Sequence, residues 1–187
     1  MKLSNTQIIC VCIFAAMWSA VEIFLGSLWH QIPGKPIPTA MAAMIFAIPI
    51  LTLLYEITQN VETIILAGCI TAILKVFSPG GVKITPFVSI LLETGIFAAI
   101  IFVIPDTFKK LKIFAAGIAA SVGGSVIGGL FGAVMFGLFN TETRNYILIL
   151  FAKKFGTGLL GGIIGALIAV SIISRLNRHP LFKNREK

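Results

Sequence analysis

Residues 7–29, 37–56, 61–77, 84–104, 111–139 and 146–174 form six apolar runs separated by short polar or proline-rich breaks. A bilayer core about 30 Å thick is crossed by about 20 helical residues, which these runs match. Inside lipid every backbone N–H and C=O must be satisfied within the segment, so a run of this kind folds as a helix. The expected fold is therefore all-α, a polytopic bundle of six transmembrane helices. Residues 1–174 make a single domain, and 175–187 form a basic cytoplasmic tail.

The N-terminal run needs one distinction. Lys2, the apolar stretch and Trp18-Ser19-Ala20 imitate a signal peptide with its cleavage site. The run continues through Phe24, Leu25 and Leu28, which reads as an uncleaved first helix.

Charge fixes the orientation and narrows the partners. Only 12% of residues are charged, about half the share of a soluble domain, while 57% are hydrophobic. The net charge of +8 sits mainly in breaks and tail, without a basic patch interleaved with aromatics, so nucleic acid is set aside. Placing both termini in the cytoplasm puts nine Lys and Arg on the inner side and four on the outer, or six counting Lys153 and Lys154. That asymmetry follows the positive-inside rule and implies a multi-pass protein of the cell membrane. The lipid bilayer is then the first partner, with the cations near anionic head groups. Cys10, Cys12 and Cys69 all lie in apolar runs, where cysteine behaves as a small hydrophobe.

Five charges fall within or at the ends of the runs: Glu22, Lys75, Glu93, Lys153 and Lys154. An ionised side chain at the bilayer centre costs about 2.5–3.5 kcal/mol on insertion scales, so such residues face a bundle interior or a wet cavity. Glu93, nine residues into the fourth run, has too short a side chain to reach an interface. It is protonated, paired with a lysine, or lines a cavity. Lys75 either snorkels to the interface or joins a site with Ser78, Gly80 and Gly81, whose turn after Pro79 offers backbone amides to an anion. Lys153 and Lys154 point about 100° apart on a helix, so at most one addresses a given cavity.

Other features are weaker. Trp29 is either an interfacial belt residue or a stacking face. His30 is either a head-group-level polar residue or a hydrogen-bonding edge beside it. The break from Gln31 to Pro38 carries three prolines and reads as a stiff connector or as a lid over an outward cavity. Gly124, Gly128 and Gly132 in the fifth run, and Gly158, Gly162 and Gly161, Gly165 in the sixth, repeat at four-residue spacing. These ladders predict close packing between runs five and six. The fifth run is long enough that it must tilt, break or project, and its glycines favour the first two. In the first run Ala16 and Ala20 share a face and leave a shallow groove, which Ala15 and Ser19 widen.

No nucleophile–base pairing, metal-ligand cluster or cofactor fingerprint is present. The chain reads as a binder or carrier and not an enzyme, with no cofactor and no metal.

Six spans in under 200 residues, Ala16-xxx-Ala20 in the first and a basic tail resemble the substrate-binding S component of an energy-coupling factor transporter. The resemblance implies capture of a small vitamin-like or precursor molecule from the outer side, with a transmembrane coupling subunit and two ATPase subunits as partners. It implies Ala16 and Ala20 as docking residues and Gln31–Pro38 as a lid. The substrate-binding residues expected on this reading are Glu22, Trp29, His30, Lys75, Ser78, Gly80, Gly81, Glu93 and Lys153. Two other readings stay open: a self-sufficient ion-coupled carrier or channel using Glu22 and Glu93, and a non-transporting membrane scaffold. The lysines and the glycine turn favour an anionic ligand group, while the glutamates and tryptophans suit a cationic one.

Overall fold

A computed structural model describes residues 3–27, 39–78, 84–135 and 144–176. All six apolar runs form helices: α1 (Asn5–Ser27), α2 (Thr39–Thr58), α3 (Val61–Val76), α4 (Ile84–Val103), α5 (Lys109–Met135) and α6 (Arg144–Leu176). A 3-10 turn, Asp106–Phe108, leads into α5. Among the described residues, five of the helices are long and apolar enough to cross a membrane; α3, with 16 residues and a length of about 24 Å, is the short one.

Local chemistry explains where the helices start and stop. Ser4 and Gln7 form a reciprocal capping box: the Ser4 amide donates to Gln7 Oε1 at 3.0 Å and the Gln7 amide donates to Ser4 Oγ at 3.2 Å. Gln7 Nε2 also donates to the Thr58 carbonyl, tying the start of α1 to the end of α2. The α2–α3 turn is closed by Gln59 in the left-handed region (φ 50°) and by Asn60, whose side chain accepts from the Glu62 amide. Pro105 ends the α4 segment, since it offers no N–H to continue the helix.

The helices form a closed ring in the order α1, α3, α4, α5, α6, α2, each packed on its two neighbours. α2 leans inward and also touches α3 and α5. Neighbours in sequence run antiparallel, so the start of α1 shares an end of the bundle with the end of α2 and the start of α5. This is the near end; α1 and α3 finish at the far end. The core is built from Trp18, Ile48, Leu51, Ile64, Phe97 and Ile101, all essentially inaccessible.

Close helix approach uses the glycines differently from the expected α5–α6 ladder. Gly124, Gly128 and Gly132 face α4: a Cβ at Gly128 would overlap Ser89 Oγ, and one at Gly132 would lie 3.1 Å from Thr85 Cγ2. The α5–α6 contact is made by Gly158 and Gly162 of α6 against Ser121, Val122 and Ile118 of α5. Gly161 and Gly165 turn to α2, against Met41, Met44 and Ile48. The small faces do bring helices close, but only one of the three ladders joins α5 to α6. Nor does α5 break at its glycines; it is one helix of 27 residues, long enough to tilt or project.

Outside the ring, large apolar side chains are exposed on every helix, among them Ile9, Phe46, Ile65, Phe102, Ile127 and Ile149. Charged side chains, by contrast, are found buried: Lys75, Glu93 and Lys112. An apolar exterior around a partly charged interior is stable in lipid and not in water. The chain is a multi-pass membrane protein.

Candidate functional site

α3 presents one polar stripe to α1. Thr71 Oγ1 donates to the Ala15 carbonyl at 3.3 Å, and the same carbonyl accepts from Ser19 Oγ at 2.7 Å. One turn later, Lys75 donates to the Glu22 carbonyl and its Nζ lies 3.4 Å from Glu22 Oε2. The pair is enclosed, with the lysine side chain 3% exposed and the glutamate 12%. Lys75 therefore does not snorkel to the interface; it neutralises Glu22 within the bundle. Ser78 belongs to the same corner, where its hydroxyl donates to the Lys75 carbonyl at 2.8 Å and so helps close the end of α3.

Trp18 stands one turn before Glu22 on the same face of α1. It is fully buried, and its indole N–H lies beside the Glu22 carboxylate without closing a hydrogen bond. The sequence marks Trp18 only as a flank of Glu22. Its four-residue spacing from Glu22 is the available signal, and the packing of α1 makes that signal decisive.

Glu93 comes from α4 and is 1% exposed. Among the described residues neither of its carboxylate oxygens has a hydrogen-bond partner. It lies within electrostatic range of Glu22. On its other side is Gly124 of α5, where a Cβ would lie 3.1 Å from Glu93 Cβ. The missing side chain at Gly124 permits the close approach and leaves α5 with nothing there to pair the carboxylate. Thr85, Ser89 and Glu93 follow one another at four-residue spacing, and all three meet the Gly132–Gly128–Gly124 face. This polar stripe runs from near the far end of α4 to Glu93, about 12 Å along the helix.

Glu22 and Lys75 are thus brought together, with Trp18 beside Glu22, and Glu93 lies within electrostatic range of Glu22. Lys153 is not among them: it is exposed on α6. Lys154 instead packs its stem on Gly129 of α5, where a Cβ would lie 3.1 Å from Lys154 Cγ. Trp29, His30, Gly80, Gly81 and the segment 31–38 lie outside the described residues. Ala16 and Ala20 are exposed on the outer face of α1, in line with Cys12 and flanked by Ile9, Ile13 and Met17. Ala15 and Ser19 are buried and so do not widen that face as expected.

A second polar cluster occupies the near end. Lys112, in the first turn of α5, is buried; it donates to Asp106 Oδ1 at 2.7 Å and to the Tyr55 hydroxyl at 3.3 Å, and its Nζ lies 5.2 Å from the Tyr55 ring centroid. Lys109 pairs with Glu56 Oε2 at 2.7 Å. In the sequence these lysines count only as topology signals. Two of them also bind α2 to α5.

No protein-family model, curated protein or solved structure matches the chain.

Proposed function

We propose that this protein is the membrane-embedded substrate-capture subunit of an energy-coupling factor type importer, taking a small vitamin-like or precursor molecule from the outer side. In this reading all six helices cross the cell membrane, both termini are cytoplasmic, and the far end of the bundle is the outer one. The observation that carries it is Glu93: a buried carboxylate whose two oxygens have no hydrogen-bond partner among the described residues, within electrostatic range of a pre-formed Glu22–Lys75 pair. A buried polar group without partners costs free energy that packing alone does not return. A bound molecule is the economical reason to keep one.

The exposed line Ala16–Ala20 on α1 supports docking to a coupling subunit, because small residues let a partner helix approach closely. No nucleotide-binding P-loop occurs in the sequence, so the energy for transport comes from ATPase partners. Mild purification of the tagged protein from its own cells tests the proposal directly. Mass spectrometry should find one retained small molecule, and coupling and ATPase subunits should co-purify. Solute uptake into liposomes holding this chain alone would instead favour an ion-coupled carrier, the reading that the proximity of Glu22 and Glu93 keeps in view.

A further inference from the structure

We infer that the ligand carries a cationic nitrogen and that the Glu93 carboxylate receives it. The inference rests on the capture site proposed above and assigns its ligand class, which the sequence left divided between anion and cation.

The division is resolved by where Lys75 goes. Its ammonium is engaged by both the carboxylate and the backbone carbonyl of Glu22, so the pair is electrically balanced within itself. What stays unfilled is a second carboxylate and the Trp18 indole N–H. A carboxylate accepts up to about four hydrogen bonds and an indole donates one. The complementary molecule brings N–H donors with positive charge to Glu93, and an acceptor to Trp18. An anionic ligand would set its charge against the unfilled Glu93 carboxylate, and like charges at short range in a low-dielectric interior repel strongly. A hard divalent metal ion takes about six or more oxygens; among the described residues no group of three His, Cys, Asp or Glu gathers to hold one. An amidinium or ammonium fits without that requirement, and a charge-assisted bond to a carboxylate is about twice as strong as a neutral one.

The protein has two tryptophans, so Trp29→Phe assigns any emission change to Trp18. Purified full chain with this substitution, in nanodiscs, is titrated with benzamidinium, benzamide and benzoate, which share one flat body and differ in charge. The unsubstituted chain, titrated calorimetrically with the same probes, checks the affinity order with Trp29 in place. Saturable change of Trp18 emission with benzamidinium, at least tenfold tighter than with the other two, is expected. Glu93→Gln should erase that preference at unchanged thermal stability. The charge series in the Glu93-containing protein is decisive even where the Gln variant folds poorly. Equal response to all three probes, a preference for benzoate, or no response to benzamidinium overturns the cationic assignment. The failures separate: an anionic or neutral molecule retained on native purification leaves the capture role standing and removes only the cation. A chain that retains nothing and co-purifies with no subunit loses both.

Discussion

Lys75 binds Glu22 twice, at the backbone carbonyl and, with Nζ 3.4 Å from Oε2, at the carboxylate. A contact separated by 53 positions in the chain thus pins the end of α3 to α1 and settles the charge of the site around it. Breaking a buried ion pair by removing one partner costs about 3–5 kcal/mol, because the other charge is left without compensation. Lys75→Met and Glu22→Gln should each lower thermal stability markedly in detergent. The double variant should recover most of the loss. Independent, additive losses in a double-mutant cycle would show that the two residues do not act as a pair.

Gly128 should be intolerant of even one methyl group. Its Cβ would overlap Ser89 Oγ and lie 2.8 Å from Ser89 Cβ. Overpacking of this kind costs about 1–3 kcal/mol. Gly128→Ala is expected to lose that much, and adding Ser89→Ala should return part of it by removing the hydroxyl. Gly95, with nothing within 4 Å of its Cβ position, is the control; Gly95→Ala should be neutral or slightly stabilising. Melting curves of these variants read the difference, and equal effects at 95 and 128 would contradict the observed α4–α5 packing.

The near-end cluster predicts an unequal response from its two charged members. Lys112 is buried, whereas the Asp106 side chain is 72% exposed. Lys112→Met leaves a solvated aspartate and keeps the apolar stem, so it should change stability by less than about 1 kcal/mol. Asp106→Ala removes the acceptor, leaves the buried ammonium with Tyr55 among the described residues, and should cost more. Chemical denaturation of the two variants checks the order.

On the proposed capture role, Ala20→Trp should block assembly with a coupling subunit while leaving ligand retention intact. Ala20 is exposed on the outer face of α1, whereas Trp18 and Glu22 look inward. Pull-down and ligand mass spectrometry on the same preparation give the two readouts. Simultaneous loss of both would place Ala20 in internal packing.

The helices are legible in the sequence because lipid leaves the backbone no partner but itself. Observed helices begin and end within a few residues of the apolar runs, and Pro105 and Asn60 mark boundaries by their own chemistry. Glu93, Glu22 and Lys75 are legible as candidates for a related reason: a charge in an apolar run is costly unless it faces inward. Helix faces are not legible. The exterior of this bundle is as apolar as its core, so hydrophobic residues surround each helix and periodicity cannot say which side meets which neighbour. That is why the Gly124–Gly128–Gly132 ladder is found against α4 instead of α6, and why the sequence does not disclose the roles of Trp18 and Lys112. The sequence by itself determined six helices and a short set of buried charges. Only the tertiary structure decided that Lys75 belongs to Glu22 and leaves Glu93 unfilled, since that choice depends on side-chain contacts between helices far apart in the chain.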